Sequence, residues 1–478
     1  MSRQTRRSFL QHVTAASGAA GLFAISGTKS SGQVVGSNEA IRVGVVGLNG
    51  RGGSHVSEFN KPDAGSRVAA LCDVDYRVLE GRAKRLQNVQ TFQDVRQMLE
   101  SKDIDAVSIA TCNHWHSLIT IWACQAGKDV YVEKPCSHNV FEGRKCVEAA
   151  RKYKRIVQHG TQSRASSEWN KIAAVVKSGK YGRLLVSKGY CCKSRWTIGH
   201  KAITNPPPHL DFNLWLGPAP EQPYHPNLVH YNWHWFWDTG NGDMGNQGVH
   251  QIDIARWMTG KTLPRSVVSL GGRWVNEPGF KDQGETPNQI VSVFDYGDSL
   301  VLFETRGLVG NQLKGFPGKV DNELYFEGGV IRDGKFFPKG SDQGEDLPDV
   351  EFKRYPEGNF GNFLKACRTR NHEDLCGDIE EAHLSAALCH LGNIPYRMGT
   401  LKKFEMPQGF TDNEIVSDSV KTLLENTAAI GVNVENTMMM VGPKLEFNPE
   451  TEKFVDNPAA DQFLTRPYRK PFVVPEQV

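Results

Sequence analysis

The sequence predicts an α/β protein whose first half forms a doubly wound parallel sheet with helices on both faces. Three observations carry this. Short apolar runs alternate with helical segments between Ile41 and Tyr153, the pattern of strands buried on both faces by crossover helices. The first run ends in a glycine-rich turn that opens a helix, a strand–turn–helix unit. Finally, 478 residues exceed what one hydrophobic core organises, so two or three domains are expected.

Taken in order, Ile41–Val46 is the first strand, and a helix runs from about Gly52 to Phe59. Val68–Cys72 is a second strand, ended by Asp73. Ala106–Ala110 is another, followed by a helix from about His116 to Ala126. Val130–Val132 closes the series before the amphipathic helix Phe141–Tyr153. Domain boundaries are expected at residues 1–40 (leader), 41–160, 161–440 and 441–478, the last a Pro- and charge-rich strap that suits a subunit contact.

Charge excludes some classes. Lys+Arg number 56 against Asp+Glu 53, too balanced for a nucleic-acid partner or an acidic membrane surface. The leader differs in kind: Arg6-Arg7-Ser8-Phe9-Leu10 precedes an Ala- and Gly-rich stretch, Val13–Ile25, without acids. That stretch is too short and too weakly apolar for a stable membrane span. It resembles a twin-arginine export signal, which implies a periplasmic or other extracytoplasmic location. Ten cysteines would suit disulfides in an exported protein, but Cys72, Cys112, Cys124 and Cys136 sit in or beside predicted core elements. They read as buried free thiols.

The turn Gly47-Leu48-Asn49-Gly50-Arg51-Gly52 matches G-x-G-x-x-G at its first and third glycines, with Asn49 at the second. Asn is the non-glycine residue that best tolerates a left-handed backbone. The helix that follows favours an anion at its N-terminus, and Asp73 stands about twenty residues on. A carboxylate there accepts hydrogen bonds from a ribose diol and repels a 2′-phosphate. NAD is therefore the expected cofactor, with NADP the lesser alternative beside Arg77.

Two segments at strand ends add a family. Thr111-Cys112-Asn113-His114-Trp115-His116 and Glu133-Lys134-Pro135, with the glycine turn, resemble the glucose–fructose oxidoreductase, inositol dehydrogenase and rhizopine-catabolism (Gfo/Idh/MocA) family. The resemblance implies a Rossmann domain followed by an α+β domain with a large, mostly antiparallel sheet. It also implies a helix at residues 380–396 that returns to the cofactor domain, and a homo-oligomer formed through the second sheet. Expected nucleotide contacts are Gly47, Asn49, Gly50, Arg51, Gly52, Asp73, Thr111, Asn113, His116, Glu133 and Lys134. Lys134 is the expected proton-handling group, since hydride leaves an alcohol carbon only as the hydroxyl proton is lost. In many such proteins the peptide bond before Pro135 is cis.

In the second half, Asn246 and His250 stand where the family carries D-x-x-x-H. The spacing puts both on one helical face. An amide cannot take a proton, so Lys134 and His250 are left to do so, with Asn246 binding a hydroxyl. Asp253 either orients His250 or serves packing. Tyr231, Trp233, Trp235 and Trp237 alternate as on one strand face; Trp233 and Trp235 are expected to stack on sugar rings. Asn232, His234 and Asp238 could bind hydroxyls. Arg164 is expected near the cleft, against substrate or sheet. His225, His230, His234 and His250 lack the spacing of a tetrahedral metal set, and no metal is expected.

The first functional expectation is an exported, NAD-dependent oxidoreductase acting on a small sugar, polyol or glycoside with a tightly held nicotinamide. A second is a glycoside hydrolase or lyase that oxidises its substrate transiently. A third is a non-catalytic sugar-binding relic, suggested by Asn246.

Overall fold

The computed structural model describes residues 40–275, 280–310, 313–404, 406–407 and 409–478. The twin-arginine segment lies outside them.

Six strands form the first sheet: β1 (Ile41–Val46), β2 (Ser66–Cys72), β3 (Gln90–Phe92), β4 (Ala106–Ile109), β5 (Asp129–Val132) and β6 (Val157–His159). Their order is β3-β2-β1-β4-β5-β6, and every pairing is parallel. The expected doubly wound sheet is present. Two strands and two helices escaped the sequence reading: β3, β6, Tyr76–Ala83 and Val95–Leu99. Each strand has only three residues, too few for a periodic signal. The order in which strands are added reverses at β1, so the crevice beyond the carboxyl ends of β1 and β4 is the topological switch point where ligands bind.

The second sheet has twelve strands, ten of them in the order β14-β13-β12-β11-β7-β10-β9-β8-β16-β15; off this path β17 (Leu445–Asn448) pairs with β8, and β18 (Lys453–Phe454) with β17. Here β7 is Leu184–Cys192, β8 Ser266–Gly272, β9 Gln289–Asp295, β10 Leu300–Arg306 and β11 Lys319–Phe326, followed by β12 (Gly329–Arg332), β13 (Lys335–Pro338), β14 (Glu345–Asp346), β15 (Thr400–Lys403) and β16 (Met438–Val441). β7 and β10 run parallel; the other described pairings are antiparallel.

Two features bind the two halves, and an ionic cluster within the second half braces the first of them. Helix Ile379–Met398 splits its apolar side chains between two cores: Ile379, Ala382 and Ala386 join the nucleotide-domain core. Leu384, Leu388 and Leu391 join that of the large sheet. A buried ionic cluster fixes the neighbouring helix Val249–Thr259: Arg164 donates to Asp253 at 2.8 and 2.9 Å and to Glu381 at 3.1 Å. The carboxyl-terminal strap packs on its own chain, with Phe472, Val474 and Val478 in the nucleotide-domain core. Among the described residues no helix is long and apolar enough to cross a membrane. All ten cysteines are free thiols.

Candidate active site

The glycine turn is dictated by space. Gly47 has φ +79°, and a Cβ there would stand 2.7 Å from the Ala110 carbonyl oxygen. A Cβ on Gly52 would lie 1.8 Å from the Gly47 oxygen. Only hydrogen fits at either position. The turn leads into helix Arg51–Phe59, which Gly50 caps without a side-chain hydrogen bond. The Gly52 and Gly53 N–H groups turn back to the Asn49 and Gly50 carbonyls at 3.2 and 3.1 Å, and with no capping side chain the positive end of the helix faces the turn, where an anion is favoured.

Asp73 braces this turn. One carboxylate oxygen accepts the Leu48 N–H at 2.8 Å and the other the Asp75 N–H at 2.9 Å. Burial pushes its pKa up against those two bonds. Each oxygen keeps a lone pair, so the carboxylate can still accept from a ribose diol.

One cavity of about 550 Å³ runs from this turn to the second domain. Gly47, Asn49, Gly50, Arg51 and Asp73 line one end, and Thr111, Asn113, His116 and Glu133 line its middle. Lys134, Asn246 and His250 line the far end, with Trp233 and His234 beside them. Asn113 is pinned by its amide to Asn241 at 3.0 Å. His116 spans the Pro135 and Thr111 carbonyls at 2.6 and 3.0 Å, clasping the ends of two strands. Burial holds its pKa low.

Glu133 is buried between Arg51 Nε at 2.8 Å and His55 Nε2 at 3.1 Å. It also accepts the Lys134 N–H at 3.2 Å. Despite burial, these partners hold its carboxyl well below the usual range. The Lys134–Pro135 bond is cis. Lys134 Nζ donates to the Asn246 carbonyl at 2.6 Å, and burial lowers its pKa although Glu133 and Asp243 oppose this. Asn246 lies in a π-turn, Met244–Gly248, a distortion frequent at functional sites. Its side-chain amide leans on Asp243 at 3.4 Å. His250 opens the helix that follows; burial, then the Lys134 charge, pushes its pKa down to about 3. It is a neutral imidazole at pH 7.

Several expected placements change. The aromatic alternation is not a strand: Asn232–Trp235 is a 3₁₀ turn. Three residues per turn send Trp233 to the cavity but Trp235 away from its lining, under the Arg195 guanidinium at 5.2 Å. Arg164 is also outside the lining, committed to Asp253 and Glu381. Asp253 spends its carboxylate on Arg164 and Ser385, the latter at 2.7 Å; its bonds are those of packing rather than of orienting His250.

The sequence reading missed the roof. Leu210, Leu214, Trp215, His230 and Tyr231 of the second domain cover the nucleotide end. Asp75 ties them down: it accepts from His209 Nδ1 at 3.1 Å, and its other oxygen lies 3.1 Å from His230 Nε2. The strap adds Arg469, whose Nε donates to the Gly217 carbonyl at 3.0 Å. His209 and His230 lie far from Asp75 in sequence, and no local motif marks them.

This geometry agrees with the comparisons. The profile described as "Oxidoreductase family, NAD-binding Rossmann fold" matches residues 41–161. That of the "Oxidoreductase family, C-terminal alpha/beta domain" matches 166–430. The chain belongs to this family. The glycine cradle and Asp73 fit the NAD for which its first domain is described. An inositol 2-dehydrogenase of Corynebacterium glutamicum (strain R) is 28% identical over 153 residues, 32% of this chain and 45% of that protein. A glycosyl hydrolase family 109 protein of Shewanella pealeana is 28% identical over 183 residues, 36% of this chain and 40% of its own. The chain thus spans under half the length of these two relatives. The WlbA dehydrogenase of Bordetella pertussis, solved with NADH and UDP-GlcNAcA, shares the fold with a TM-score of 0.56 at 17% identity. That match covers 74% of this chain and 95% of the other.

Proposed function

We propose that the protein is an exported oxidoreductase that moves a hydride between a sugar or polyol hydroxyl and a tightly held NAD. One observation carries the reading: a single cavity joins the glycine turn to Lys134 and His250. When bound, the nicotinamide supplies the two-electron acceptor for the carbinol carbon. Lys134 Nζ, held at the Asn246 carbonyl, provides a donor for the developing alkoxide. Its lowered pKa suits a group that must also give up its proton. His250 offers a neutral ring to the same space. Asn246 can bind a hydroxyl but not relay its proton.

The inositol dehydrogenase relative supports the polyol class. The Asp75 clasp and the roof support retention of the nucleotide, and the leader sequence alone supports export. The glycosyl hydrolase relative favours a second reading, transient oxidation of a glycoside with the hydride returned at the end. A homo-oligomer through the large sheet belongs to the same proposal and is tested by sedimentation.

The test is a scan of polyols, sugars and glycosides against the NAD-loaded protein. Reduced nicotinamide should appear with a polyol or sugar. Glycoside cleavage without net reduction would favour the hydrolase instead, and neither signal would contradict both readings. Fractionation of cells should place the mature protein outside the cytoplasm.

A further inference from the structure

His234 lines the cavity within reach of the Lys134 charge, as His116 and His250 do, and its ring is tightly specified. Its Nδ1 lies 2.6 Å from the Tyr231 carbonyl oxygen. A carbonyl can only accept, so Nδ1 carries the hydrogen and, in the neutral ring, Nε2 carries the lone pair. The ring lies on Trp233 with centroids 3.6 Å apart and planes 20° apart. Trp233 is itself held by its indole N–H to the His230 carbonyl at 3.1 Å, and its carbonyl accepts the Thr239 hydroxyl at 2.8 Å. Gly240 lets the loop cross beneath, since a Cβ there would stand 2.4 Å from the His234 carbonyl oxygen. Among the described residues Nε2 has no hydrogen-bond partner, and the residue lines the cavity.

The charges facing the ring are those of Lys134 and Arg195, with His116 beyond. Burial comes first, and with these groups it pushes the imidazole down to about 3. The ring therefore stays neutral across the physiological range, a fixed acceptor rather than a switch.

We propose that His234 is a specificity-determining residue: its Nε2 accepts the hydrogen of a substrate hydroxyl, selecting polyols with a free O–H at that carbon over deoxy and O-methyl counterparts. A deoxy analogue leaves a buried acceptor unpaired, and an O-methyl group sets lone pair against lone pair. Sites built to bond a hydroxyl reject analogues lacking it far more strongly than apolar pockets reject a methylene. This inference rests on the oxidoreductase reading above, and the polyol class is sharpened by it: the substrate must present a donor.

The experiment uses the full protein loaded with NAD, with myo-inositol and its monodeoxy and mono-O-methyl derivatives as probes. Wild type should show a preference for myo-inositol over one deoxy and the matching O-methyl derivative. His234→Phe, which keeps a ring on Trp233, should lower kcat/KM for myo-inositol by about 10- to 100-fold. It should also collapse that preference towards unity. His234→Gln guards against a folding defect, because its amide can still donate to the Tyr231 carbonyl. Independently of turnover, ¹⁵N spectra should show the His234 Nε2 unprotonated from pH 6 to 8 and shifted on addition of myo-inositol. A preference unchanged in both variants, or a protonated Nε2, overturns the assignment while leaving the oxidoreductase reading intact. Absence of nicotinamide reduction by wild type with all of these probes and with the wider scan instead overturns that reading, and this inference falls with it.

Discussion

The two ends of the cavity are built on opposite principles. At the nucleotide end the backbone does the work: Gly47 and Gly52 are required because atoms of the same turn and of the next strand leave no room. At the chemical end the work falls to side chains from distant segments. Lys134 reaches Asn246 across 112 positions of sequence, and His234 comes from a 3₁₀ turn between them. The first kind of site follows from local sterics. The second exists only once the two domains pack.

The difference can be broken at either end, and the largest effect is expected at Lys134. Lys134→Met removes the proposed donor to the alkoxide and should lower single-turnover nicotinamide reduction by about 10³- to 10⁴-fold, with nucleotide still detectable on the protein by mass. A loss under tenfold would move the proton chemistry elsewhere. Next, Arg164→Ala leaves the buried Asp253 without its bidentate partner and should cost about 3–5 kcal/mol in urea unfolding. A variant as stable as wild type would return Arg164 to substrate binding.

At the other end, Gly52→Ala forces the turn open. NAD affinity by calorimetry should fall by about 100-fold, or about 2.7 kcal/mol; unchanged affinity would mean the nucleotide does not use this turn. Asp75→Asn weakens both histidine contacts to the roof. It should cost about 1–2 kcal/mol and release nucleotide roughly tenfold faster in stopped-flow fluorescence, with little effect on chemistry.

Acid acts on several groups at once. His114, His234, His250 and His390 are each pushed down to about 3, first by burial. The unfolded chain takes up their protons near pH 6.5 while the native state does not. Their contribution is therefore complete above pH 6.5 and is lost as pH falls towards 3, at up to about 1.4 kcal/mol per pH unit for each ring. Denaturant midpoints between pH 7 and 5 should show this decline, and a flat profile would contradict the neutral buried rings.

The comparison also explains what could be read from the sequence. The parallel sheet and the glycine turn were legible because each depends on neighbours in the chain, as does the reach from Gly47 to Asp73. Lys134 was legible through the family resemblance and Asn246 through a departure from it. Trp235 and Arg164 were misplaced for a shared reason: residue type and position suggested sugar stacking and a substrate contact, while tertiary partners, Arg195 and Asp253, decided otherwise. An aromatic at every second position fits a strand face, but over four residues a 3₁₀ turn fits equally well. The roof had no signal, because a histidine that meets Asp75 from another domain looks like any other histidine.

The most direct test of the central claim is to denature the purified protein and count the nucleotide released, then titrate the emptied protein with NAD. The structure predicts about one nicotinamide nucleotide per chain, or saturable binding of added NAD where none co-purifies. No released nucleotide, together with no binding of added NAD, would contradict it.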